Sequence, residues 1–239
     1  MDELLNTVPL TPDISRANPN LYRSKLIYLL DRNTKYGSAA LNFVIAHRNV
    51  SRDKITFNSE KWQSAHDEEA GSITLGTTSM TPEEKAVNFP FETNSFNDEK
   101  IMLYKLTHEL CHLLGEAIAD EIEGRNTNPH LRQYEALMRY FASLREKGKG
   151  MSSHAGNERY IEKGAGIQAV EDMTDLMAFH LMDPGYLDRY LQFLVDPQFE
   201  QQREKYKLMT LSQTGAEEIS KTISRTIGRL LTKKDEEKY

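Results

Sequence analysis

The run from Lys100 to Leu114 contains neither proline nor glycine, and Ile101, Leu103, Leu106, Leu110, Leu113 and Leu114 recur in it at helical spacing. Asn97 or Asp98 is placed to cap its start, so a helix is expected whose later turns are buried. Those turns hold Thr107-His108-Glu109-Leu110-Cys111-His112. Four helical residues rotate by about 400°, which leaves His108 and His112 about 40° apart on one face and able to reach one ion. Glu109 stands about 100° round from His108. This is the His-Glu-x-x-His pattern of a zinc site. Its bland alternative is a pair of core histidines that satisfy hydrogen bonds, which leaves no use for Glu109. A catalytic zinc takes three protein ligands, with imidazole nitrogens at about 2.0–2.1 Å, and keeps one position open for water. The helix therefore supplies two ligands and a candidate base, and a third ligand must come from elsewhere. Cys111, at a different helical angle, reads as a small buried thiol.

The 239 residues suffice for one substantial core, and 38% hydrophobic with 28% charged residues describe an ordinary soluble chain. A net charge of −6, with the basic groups scattered among acids, argues against a nucleic-acid partner, because phosphate contacts need clustered Lys and Arg. The lone Cys111 excludes an intramolecular disulfide. The acidic start lacks the basic and apolar regions of a cleavable secretory signal, and no apolar run approaches the roughly 18 residues of a membrane span. The expected location is the cytoplasm, or a destination reached by export without a cleaved signal.

Residues 1–20, with Pro9, Pro12 and Pro19, read as a flexible lead-in, and 232–239 as a charged tail. Between them, 21–231 are expected to form a single domain, since no repeat or composition break divides them. Helices are expected over 21–31 and 38–47, with His47 as a cation at a helix C-terminus. Short strands follow at 54–58 and 71–76, with Trp62 at the core edge. The polar stretch 64–70 reads as an exposed turn carrying His66, and 77–98 as a long loop. After the histidine helix, expected to reach Glu123, come amphipathic helices over 131–144, 167–182, 186–194 and 197–209 and a stripe of Ile219, Ile223, Ile227 and Leu230. The glycine- and serine-rich segment 147–156 reads as a lid, and lacks the strand-glycine-helix context of a phosphate loop.

For the third ligand, Gly115 matches the His-Glu-x-x-His-x-x-Gly opening of metzincins, but Ile118 stands where that pattern needs a histidine. Glu171 and Asp175 are better placed. They lie one turn apart on an otherwise apolar helix, where carboxylates are costly unless paired or metal-bound. Glu171 is suited to ligate the ion, and Asp175 to accept the free ring N–H of a ligand histidine. A solvated acidic stripe including Asp172 is the bland reading, and Glu135 and Asp120 are the alternative ligands.

With these residues in place, His108-Glu109-Leu110-Cys111-His112 followed by Glu171-x-x-Thr174-Asp175 resembles the gluzincin branch of the zincin metallopeptidases. The resemblance covers about ten motif residues. It implies an α+β, predominantly helical, zincin-like fold, with a small sheet whose edge strand borders the cleft and a helical C-terminal part. It also implies a Zn²⁺ cofactor and a protein or peptide substrate. A weaker, compositional similarity is to compact zinc proteases that bacteria inject into host cells. The expected chemistry is peptide hydrolysis with Glu109 as general base. A peptide is expected along the strand near 73–75, with Tyr160 and His154 as candidate oxyanion donors. The rival from another class is a non-catalytic zinc-binding or toxin-like interaction module.

Overall fold

The computed structural model describes residues 2–67, 69–91, 97–124, 129–152 and 161–232. In chain order the elements are α1 (Asp2–Thr7), α2 (Pro12–Ala17), α3 (Pro19–Asn33), α4 (Gly37–His47), β1 (Ile55–Asn58), β2 (Ala65–Asp67), β3 (Ser72–Gly76), α5 (Pro82–Asn88), α6 (Asp98–Glu123), α7 (Pro129–Glu146), α8 (Ala165–Met182), α9 (Pro184–Val195), α10 (Glu200–Lys205) and α11 (Gln213–Thr232). The fold is therefore predominantly helical with one small sheet.

The helix α6 is the axis. Asn97 caps it by accepting the Lys100 N–H at 2.9 Å, and Asp98 and Glu99 place negative charge at the positive end of the helix dipole. Leu103, Leu106, Leu110, Leu113 and Leu114 are buried along it, each contributing roughly 1.5–3 kcal/mol by leaving water. Its most extensive partner is α8, which buries Met173, Leu176, Met177 and Leu181. α3 and α4 pack on α6, while α7, α9 and α11 pack on α8, and α11 also packs on α7 and α9. Asp183 ends α8 and caps α9, accepting the Gly185 N–H at 3.0 Å, and Pro184 takes a first-turn position that needs no donor.

The sheet order is β1-β3-β2, with β1 parallel and β2 antiparallel to β3. Ile55, Ile73 and Leu75 are buried, and β1 packs on α3 and β3 on α6. Gly71 lies in the connection that returns β2 to β3. Its φ of +62° is in the left-handed region, and a Cβ there would sit 2.2 Å from the Asn49 carbonyl oxygen.

Several sequence expectations need correction. Residues 2–17 are not an irregular lead-in: α1 and α2 form there, and Leu5, Val8 and Leu10 are buried. The segment around His66 is the strand β2, paired to β3 as Ala65↔Thr74 and His66↔Ile73, rather than a turn. The loop over 77–98 contains α5, begun by a capping box in which Thr81 and Glu84 bond reciprocally. The helix expected over 197–209 is shorter, a 3₁₀ turn leading into α10. Of the charged tail, 233–239 lie outside the described residues, as does the part of the lid expectation over 153–156. Among the described residues no helix is long and apolar enough to cross a membrane.

Candidate metal centre

The α6–α8 contact brings together the three side chains singled out from the sequence. Nε2 of His108 and Nε2 of His112 lie 3.1 Å apart, and Glu171 Oε2 is 3.3 Å from the first and 3.5 Å from the second. Ligands on a tetrahedral ion at about 2.0–2.1 Å are separated by about 3.3–3.4 Å, so the triangle has the edges that such an ion requires. Glu171 Oε2 is buried, and although it lies within ion-pairing distance of both imidazoles, no hydrogen bond reaches it. A buried carboxylate oxygen without a donor, between two ring nitrogens, is an arrangement that a cation completes. Among the described residues, His108, His112 and Glu171 are the group of acidic, histidine or cysteine side chains that fits a metal ion.

The outer contacts fix the ligand atoms. Asp175 Oδ1 lies 2.8 Å from Nδ1 of His108 and also accepts the Tyr104 hydroxyl. The bond to Asp175 fixes a His108 proton on Nδ1 and turns Nε2 towards Glu171 and His112. Thr174 Oγ1 plays a weaker version of this part for His112, 3.4 Å from Nδ1. Burial opposes charge on His108, but Asp175 and then Glu171 outweigh it and raise its pKa well above the ordinary value. Burial likewise pushes Glu171 up, and the His108 and His112 imidazoles beside it reverse this and hold it low. The third acid of the stretch, Asp172, is not solvated: it is fully buried against Arg145, which bonds it through Nε at 2.7 Å and Nη2 at 2.5 Å. The N–H groups of Met151 and Ser152 complete its partners.

The alternative ligands lie elsewhere. Glu135 is bonded to Arg139 on its own helix, and Asp120 accepts from Arg48 at 2.7 Å, farther along α6. Ile118 is in the core, as is Cys111, whose thiol burial pushes up in pKa. Tyr160 and His154 lie outside the described residues.

Glu109 faces a cleft of about 320 Å³ lined also by His66, Lys105, Glu171 and Trp62. His66, expected at the surface, reaches into this cleft. Its Nδ1 lies 3.3 Å from Glu109 Oε2, its Nε2 lies 3.1 Å from Glu116 Oε1, and its ring stacks on His112 with centroids 5.1 Å apart. The two carboxylates, Glu109 first and Glu116 second, raise its pKa to about 9. The strand expected to receive a peptide cannot do so, because β3 is bonded on both sides, by β1 and by β2. Among the described residues β1 and β2 are the edge strands of the sheet, and Ala65 and His66 of β2 line the cleft.

His66, Tyr104, Glu116 and Lys105 were the site residues that sequence reasoning missed. Tyr104 was within reach, since it stands one turn before His108 on the same face. His66 had no local signal, because a three-residue strand shows no usable alternation. No protein-family model, curated protein or solved structure matches this chain.

Proposed function

We propose that the protein is a zinc-dependent endopeptidase of gluzincin-like design. The observation that carries this reading is the near-equilateral triangle of His108 Nε2, His112 Nε2 and Glu171 Oε2, with Glu109 beside it on an open cleft. His108, His112 and Glu171 would hold the zinc ion, which when bound would supply Lewis acidity to a water and to a substrate carbonyl. Glu109 Oε2 takes a proton from the attacking water and delivers it to the departing amide nitrogen. His66 holds that same oxygen, and Glu116 holds His66 in turn, so the carboxylate is positioned from the far side of the cleft. An extended peptide pairs with the open side of β2, its main chain giving affinity and its side chains selectivity. Asp175 and Thr174 keep the two ring protons on Nδ1 throughout.

A purely structural zinc module has no need of a carboxylate on the cleft beside its ligands, and Glu109→Gln separates the two readings. The variant is expected to retain zinc at one per chain while losing by at least about 100-fold the cleavage that the wild type shows on a mixed peptide library. Undiminished cleavage by Glu109→Gln removes Glu109 from its role, and a zinc-loaded wild type that cleaves nothing supports the non-catalytic module.

A further inference from the structure

Two charged groups that line the cleft are not used by the proposed chemistry: Lys163, which is exposed, and Lys105, which is buried. Lys105 lies three residues before His108, so on α6 it stands about 60° from that ligand and one turn towards the N-terminus. It lines the same cleft as Glu109 and Glu171, yet it is only 5% exposed. Its Nζ donates to the Gly76 carbonyl at 2.6 Å, at the end of β3. An ammonium has three donors, and among the described residues no carboxylate lies within ion-pairing distance of this one. Burial without a counter-charge lowers its pKa to about 8, with Glu84 and Asp98 opposing this only from a distance. The carboxylates at the other end of the cleft are already engaged, Glu109 with His66 and Glu171 with the two histidines.

A buried cation with spare donors in a binding cleft is costly in the free protein and is relieved by an anionic ligand group. Resting on the peptidase reading above, we propose that Lys105 selects the substrate by binding a carboxylate carried next to the scissile bond. Two sources present that chemistry: an Asp or Glu side chain, which keeps the enzyme an endopeptidase, and the terminal carboxylate of a chain, which would make it a carboxypeptidase. The site is one helical turn from the reacting centre, which places the recognised carboxylate on a residue flanking the cleaved bond.

The test uses zinc-loaded, full-length Glu109→Gln protein and calorimetric titration with blocked hexapeptides that differ only in Glu or Gln at one position, together with a pair that differs only in a free or amidated C-terminus. At one position the Glu peptide is expected to bind roughly 10–100-fold more tightly than the Gln peptide, as for a hydrogen bond to a charged group, and Lys105→Met in the same background abolishes the difference. An advantage confined to the free C-terminus assigns the pocket to a terminal carboxylate. Equal binding of every Glu/Gln and acid/amide pair overturns the proposal, as does absence of binding or a preference that survives Lys105→Met. The Glu/Gln comparison on protein with Lys105 intact decides even if Lys105→Met does not fold. Parallel digestion by protein with Glu109 intact separates the two claims: cleavage with no acidic preference refutes Lys105 alone, and carboxylate-selective binding without cleavage refutes the peptidase alone.

Discussion

Replacing Asp175 by Asn tests whether the outer contacts are part of the metal centre. The two side chains have nearly the same shape, so the substitution alters charge and donor pattern with little change of volume. In the native site Asp175 Oδ1 accepts from His108 Nδ1 at 2.8 Å and from the Tyr104 hydroxyl, and both bonds are charge-assisted. Asn offers one neutral oxygen to the same two donors, and its NH₂ cannot accept. The loss expected for a hydrogen bond to a charged group is about 1.5–3 kcal/mol, and the general effect of removing a carboxylate behind a ligand histidine is 10–100-fold in metal affinity. The two agree, since tenfold corresponds to about 1.4 kcal/mol. Competition against a chelator of known zinc affinity at pH 7 should show Asp175→Asn weakened by about 10–100-fold, with its circular dichroism unchanged. Thr174→Val, which removes a contact of 3.4 Å, is expected to cost less than tenfold. Zinc affinity within twofold of the wild type in Asp175→Asn would refute the reasoning.

Two further predictions concern the scaffold. Arg145→Met leaves Asp172 buried without its cation and should destabilise the protein by about 3–5 kcal/mol in denaturant melts; a change below 1 kcal/mol contradicts the buried-pair account. His180 is 3% exposed, stacks on Tyr36 at 5.3 Å and has its pKa lowered by burial from 6.5 to about 4. The unfolded chain therefore takes up the proton first, so stability that is full above pH 6.5 is lost as pH falls towards 4, by about 3 kcal/mol over that window. The difference in melting free energy between the wild type and His180→Phe should change across pH 6.5–4, and parallel pH profiles contradict the assignment.

What was legible in the sequence follows physical range. The helix over 98–123 shows itself because its leucines repeat every three or four residues and 100–114 holds neither proline nor glycine, and the two histidines are fixed by that same period. Glu171 and Asp175 were legible because two carboxylates one turn apart on a helix as apolar as Ala165–Met182 require partners. The capping box of Thr81 and Glu84 was written in the sequence and overlooked among the polar residues around it. The place of His66 was not legible: it depends on a three-residue strand held by pairing to β3 and on the Gly71 connection, and its partners Glu109 and Glu116 lie 43 and 50 residues away. Nor was the burial of Asp172, which is decided by Arg145 reaching across from α7.

The most direct measurement is zinc content per chain, by elemental analysis after purification without chelator, across wild type, Glu171→Ala and Glu135→Ala. Glu171→Ala removes one corner of the triangle, whereas Glu135→Ala removes only a surface partner of Arg139. The account predicts one zinc per chain in the wild type and in Glu135→Ala, and a value far below one in Glu171→Ala. Normal zinc in Glu171→Ala, or zinc far below one per chain in the wild type, would contradict it.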